Sequence, residues 1–160
     1  MSKLKMILAI FWLLVAGILL VSCDSRRVYD TYKKLPHSEW HADSLQFFSF
    51  NIYNTSQNHN LYFNIRNDRS YVFSNLWLFV KIIPPEGEVI NDTIQVLLAN
   101  QSGKWLGRGF TGIYTNQVPY RTHVFFPAEG SYTIQIQHGM RPTVLNGITH
   151  IGFRVEKARR

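Results

Sequence analysis

The chain is expected to fold as an all-β domain: an antiparallel β-sandwich of about seven strands with an immunoglobulin-like arrangement. Three observations predict it. Apolar residues alternate with more polar ones at period two, with Leu61, Phe63 and Ile65 set against Tyr62, Asn64 and Arg66, and Tyr132, Ile134 and Ile136 set against Thr133, Gln135 and Gln137. Turn-forming groups separate such runs: PPEGE at 84–88, NQSG at 100–103 and PAEG at 127–130. Beyond residue 22 the chain has only four alanines, Ala42, Ala99, Ala128 and Ala158, and no long stretch with apolar residues at helical spacing. A closed barrel would satisfy the same pattern.

The first element precedes that domain. Lys3 and Lys5 open a basic start, and Met6 to Val21 is an uncharged apolar run, shorter than the roughly 20 residues a spanning helix needs but suited to a signal peptide. The run ends in Leu20-Val21-Ser22-Cys23, which resembles a bacterial lipobox. That resemblance implies a signal peptide over 1–22, a diacylglycerol thioether on Cys23, cleavage before it, and acylation of the new amine, with palmitate as a typical chain. Cys23 is the only cysteine among 160 residues, so a disulfide framework and a thiolate metal cluster are both excluded. The anchor attaches the protein to a membrane without crossing it.

Removing residues 1–22 takes away Lys3 and Lys5 and no acid, leaving 15 basic against 10 acidic groups. Residues 23–43 hold no sustained period and contain Pro36, so they are expected to form a lipidated tether, which fully extended could reach roughly 70 Å. Arg26, Arg27, Lys33 and Lys34 would lie near the anchor, where cations favour anionic headgroups.

The sandwich domain is expected over 44–160, with strands near 45–52, 61–66, 76–83, 89–98, 118–126, 132–137 and 148–156. The run Leu76 to Ile83 is apolar on both faces except at Lys81, which suits a strand covered on both sides with Trp77 in the core.

Few residues offer chemistry. Gly107-Arg108-Gly109-Phe110-Thr111-Gly112 fits the spelling of a dinucleotide fingerprint, but no amphipathic helix follows it. His37 and His41 are four apart in a segment unsuited to a helix, so no metal is expected. Glu86, Glu88 and Glu129 flank turn glycines and read as solubility residues. Arg154, Lys157, Arg159 and Arg160 suggest solvation or lipid phosphate more than nucleic acid. No nucleophile, acid pair or cofactor site emerges, and the expected class is a non-enzymatic protein. Within 103–109, Lys104, Trp105 and Arg108 are candidate partner contacts, because aromatic and arginine side chains dominate interface energetics.

The strings VYDTYKKLP (28–36), LYFNIRN (61–67), YVFSNLWLFVK (71–81), GKWLGRGF (103–110), YTIQIQHGMR (132–141) and GITHIGFRVEK (147–157) together resemble the gliding motility lipoprotein GldH family of Bacteroidetes. The resemblance spans nearly all of the chain beyond the lipobox. It implies a non-enzymatic envelope lipoprotein that serves gliding motility or the type IX secretion machinery through contacts with other lipoproteins of those systems. It carries over Cys23 as the lipidated position and adds His138 and Arg141, within its HGMR string, to the candidate partner contacts. Two tripeptides, Asp43-Ser44-Leu45 and Asp92-Thr93-Ile94, resemble the O-glycosylation acceptor of exported proteins in this phylum, with Ser44 and Thr93 as the acceptors. The expected location is the outer membrane, facing the periplasm. A glycan-binding outer-membrane lipoprotein is the alternative, with Trp105 and Tyr114 as stacking candidates.

Overall fold

The computed structural model describes residues 24–159, together with Lys3 and Trp12. The apolar signal run otherwise, and Cys23 itself, lie outside the described residues. Among the described residues there are ten strands: β1 (Arg27–Lys34), β2 (Glu39–His41), β3 (Gln46–Ile52), β4 (His59–Asp68), β5 (Asn75–Ile83), β6 (Ile90–Leu97), β7 (Ile113–Val124), β8 (Gly130–His138), β9 (Val144–Asn146) and β10 (Ile148–Lys157). A single 3₁₀ turn, Pro36–Ser38, links β1 to β2. Among the described residues no helix is long and apolar enough to cross a membrane.

Pairing is antiparallel throughout, in sheets of order β1-β10-β4-β7 and β3-β8-β5-β6, with β2-β9 as a separate ribbon. Counted along the chain, the eight long strands lie in one sheet as first, eighth, third and sixth, and in the other as second, seventh, fourth and fifth. This is jelly-roll order, not the immunoglobulin arrangement expected from the sequence. The chain crosses repeatedly between sheets, and β1, which fills the outer position of the first sheet, lies in the segment expected from the sequence to be tether.

The alternation that predicted strands also builds the core. On β3, Phe48, Phe50 and Ile52 point inward; Phe63 and Ile65 of β4 and Phe153 and Val155 of β10 meet them. Phe153 is the centre, with its ring 5.5 Å from Phe63, 6.1 Å from Phe50 and 6.3 Å from Phe48. Each fully buried ring of this kind contributes about 2–3 kcal/mol relative to exposure, and the offset aromatic geometry adds to it.

The expected tether is corrected from Arg27 onward. β1 pairs with β10 from Arg27↔Glu156 to Lys34↔His150. Tyr29 packs 5.8 Å from Phe50, Tyr32 lies 4.3 Å from the Arg66 guanidinium, and the Lys33 ammonium sits 5.4 Å from the Phe48 ring. The strand is illegible in the sequence because Lys33 lies against the Phe48 ring while residues 28–33 are all half-buried, so polarity marks neither face. Beyond it, Leu35 and Trp40 are buried, and Trp40 Nε1 donates to the Ser44 carbonyl at 2.9 Å.

The strands give the sandwich two ends. The lower end gathers the start of β1 with the termini of β10, β3 and β7 and the starts of β4, β6 and β8, as the register pairs Lys157↔His59, His59↔Val124 and Ile52↔Gly130 require. The upper end holds the β2-β9 ribbon and the loops 69–74, 98–112 and 139–143. Gly147, at φ +88, turns the chain there so close to Tyr71 that a Cβ would strike its backbone.

Candidate functional site

β5 carries Leu76, Leu78, Val80 and Ile82 into the core, so Trp77 and Phe79 face outward. They are 39% and 48% exposed, which corrects the expectation that this strand is covered on both faces with Trp77 in the core. Both line a groove of about 400 Å³ near the upper end, with Phe73, Thr93, Met140 and Arg141 among its other walls.

The groove is built by the segment after β8. A Cβ on residue 139 would lie 2.9 Å from the tip of the Phe79 ring, so glycine there lets the ring lie against the backbone. The Gly139 amide donates to the Trp77 carbonyl at 2.7 Å, and the Trp77 amide donates to Met140 Sδ at 3.3 Å. Two large rings and a thioether are thus held at a rim that ends in exposed Arg141. Aromatic, methionine and arginine side chains presented together are the residues that anchor protein interfaces.

His138 precedes this segment but does not reach its surface. The inward alternation of Tyr132, Ile134 and Ile136 continues to it, leaving it 2% exposed with its ring 5.4 Å from Trp40. Its nitrogens lie near the backbone of Trp40 and Thr143 without a well-aligned hydrogen bond, and burial pushes its pKa down. His138 is therefore a packing residue beside Trp40, buried too deeply for the direct surface contact expected from the sequence.

The loop 98–112 forms a second candidate surface at the same end. Asn100 Oδ1 accepts from the amides of Ser102 and Lys104 at 3.0 and 2.9 Å and fixes the turn. Trp105 is half-buried, 5.6 Å from Tyr114 and 6.4 Å from Tyr71, so its role is largely to hold the loop down. Lys104, Leu106, Arg108 and Phe110 stay exposed. Tyr71 in turn packs 5.7 Å from Phe73, so one aromatic series runs from this loop to the groove wall.

Of the two acceptor candidates, Ser44 is half-buried, with its hydroxyl 3.1 Å from Gln46 Nε2. Thr93 is exposed on edge strand β6 and lines the groove. Asp92 beside it ties the two sheets together, accepting from Arg121 at 2.8 Å and Tyr120 at 3.0 Å; the Arg121 hydrogen bond is the main reason its carboxyl sits below the ordinary range. Trp77, Phe79, Phe73 and Met140 were missed as surface residues. The signal existed: the inward set Leu76, Leu78, Val80 and Ile82 is complete on its own, which leaves the two rings facing out.

A third polar feature lies on the outer face of the first sheet. Arg154 of β10 binds Asp30 at 2.8 Å, Glu156 at 3.0 Å and Asp24. Burial opposes ionisation of Glu156, yet hydrogen bonds from Arg154 and Tyr62 hold its carboxyl below the usual range. Asp24 is lowered chiefly by its hydrogen bond to Arg154.

Residues 27–155 match the family described as GldH lipoprotein. A protein of Christiangramia forsetii called gliding motility lipoprotein GldH homolog is 38% identical over 157 residues, covering 94% of this chain and 96% of its own. The gliding motility lipoprotein GldH of Flavobacterium johnsoniae is 38% identical over 152 residues, covering 91% and 94%. Among solved structures, the infectious bursal disease virus VP2 subviral particle aligns with 86% of this chain and 34% of its own at 16% identity and a TM-score of 0.40. Dimeric latent PorU of Porphyromonas gingivalis aligns with 86% and 14% at 9% identity and 0.35.

Proposed function

The chain belongs to the GldH lipoprotein family, and from that premise we propose that it is a non-enzymatic assembly protein of the gliding and type IX secretion machinery. As a gliding motility lipoprotein it is lipid-anchored in the cell envelope. In this reading the signal peptide 1–22 is removed, Cys23 carries the lipid, and the domain sits on the periplasmic side of the outer membrane. Its mechanism is confinement: the anchor raises its effective concentration near other gliding and secretion lipoproteins, so a small contact surface suffices.

The observation that carries this reading is the preformed groove around Trp77 and Phe79, where two large rings are half-exposed on a rigid strand. Lys104, Arg108 and Arg141 add charge around the same end, and Thr93 on the groove wall is the more accessible of the two O-glycan acceptors.

The test is complementation of a deletion strain with Trp77→Ala/Phe79→Ala. The variant is expected to fold, losing about 1 kcal/mol of stability, and to lose gliding in a gliding host and export of secreted substrates in any host. Full complementation would remove the groove from the account. Cys23→Ala is expected to leave the membrane fraction and mimic the deletion.

The aromatic pair also favours a second reading, a glycan-binding lipoprotein, because Gln95 lies opposite Trp77 and Thr93 and Gln137 flank Phe79, setting amide and hydroxyl groups beside the rings. Saturable binding of envelope polysaccharide by the wild type, lost in the double variant, would favour that reading over protein contacts.

A further inference from the structure

The lower end of the sandwich lies where the lipid would enter. Cys23 is followed at once by Asp24, which Arg154 holds against the first sheet, and β1 begins three residues later at Arg27. So the acylated residue has no chain to pay out: its neighbour is fixed to the last strand. β1 then carries Lys33 and Lys34 to the opposite end, about 25 Å away at the rise of a strand.

The cations that remain beside the anchor come from both termini of the domain. Arg27, Lys157 and Arg159 are exposed there, and Arg26 lies 3.6 Å from Glu156. The nearby acids Asp24 and Glu156 are engaged by Arg154, while Glu86, Glu88 and Glu129 belong to turns at the same end under the second sheet. Two aromatic side chains project from the same end: Tyr53, after β3, is 79% exposed, and Phe125, after β7, is 62% exposed. Tyr53 lines a recess with Val28 and Lys157, and Arg159 lines the adjoining one with Asn58 and His123. Cations attract anionic headgroups, and exposed aromatic rings sit at the membrane interface.

We propose that this lower end is a membrane-contact surface. Arg27, Lys157 and Arg159 rest on acidic phospholipid headgroups with Tyr53 and Phe125 among them, and the Asp24–Arg154 pair sets the domain end-on above the lipid of Cys23. The groove and the loop 98–112 then point away from the membrane, toward partners. This rests on acylation of Cys23.

The test uses the full-length, natively acylated protein in vesicles. Acylation consumes the Cys23 thiol, so a single added cysteine takes a fluorophore: Asn58→Cys at the lower end or Ser102→Cys at the upper. With a headgroup-attached quencher in phosphatidylcholine–phosphatidylglycerol vesicles, the lower label is expected to be quenched several-fold more than the upper. Combining Arg27→Gln, Lys157→Gln and Arg159→Gln is expected to erase most of that difference. Equal quenching of the two labels in acylated protein would overturn the proposal. Undiminished contrast in pure phosphatidylcholine, or in the triple variant, would overturn the role given to the cations. Intact mass of the same preparation separates these results from failure of the premise, since protein without the acyl mass would sink the lipidation reading itself.

Discussion

Arg154 is the side chain on which the most interactions converge, since it meets three carboxylates from two chain segments far apart in sequence. Arg154→Met is expected to cost about 3 kcal/mol in chemical denaturation, because buried Glu156 loses its hydrogen-bonded cation and keeps only the more distant Arg26, and Asp30 loses its partner as well. The sign with pH follows from Glu156, whose folded pKa is depressed. Its contribution is present above the ordinary carboxylate pKa of about 4.3 and fades as pH falls through the lower folded value. Glu156→Gln should therefore flatten the acid limb of the stability profile; an unchanged limb would mean the pairing contributes nothing. Gly139 makes the contrasting case. Adding a methyl group there displaces an exposed ring and no backbone, so Gly139→Ala is expected to shift stability by only about 0.5 kcal/mol while reshaping the groove and weakening partner capture.

At the scale of elements, β1 is the strand that changes the architecture. As a tether, residues 24–43 would be cut readily by trypsin at Lys33 and Lys34; as an outer strand paired with β10, they are expected to resist limited digestion until the domain unfolds. Rapid cleavage there would contradict the pairing. The seven strands expected from the sequence are all present, since Leu61 to Ile65 and Tyr132 to Ile136 alternate cleanly against a single core. Those it missed are β1, β2 and β9. The two ribbon strands are too short to show a period, and β1 is evenly half-buried over 28–33, so its polar and apolar residues mark no face. The candidate site was legible in part. Arg141 and the loop from Lys104 to Arg108 were marked by residue type, whereas Trp77 and Phe79 were assigned inward because an apolar outer face looks like a covered one. Nothing in the sequence around His138 distinguishes a strand's last inward position from the turn after it, so its burial is visible only in the fold.

The whole molecule divides its surfaces by height. The two ends of the described domain, Asp24 and Arg159, lie with the cations Arg27 and Lys157 at one end, and the groove, the Trp105 loop and the β2-β9 ribbon at the other. Strands of seven to twelve residues separate the two, which sets the groove about 25 Å from the lower end. Under the proposed assembly role, a short spacer of this kind would fix the height at which neighbouring lipoproteins engage, which a flexible arm would not.

The central claim is that the membrane-distal groove holds a partner protein in the living envelope. Photo-crosslinking in cells tests it most directly, with the crosslinking residue placed at Phe79 in one strain and at Asn58 in another. A discrete protein adduct from position 79, absent from position 58 and lost in Gly139→Ala, is the predicted result. An adduct pattern identical at both positions, or none at 79 in cells that glide and secrete normally, would contradict the account.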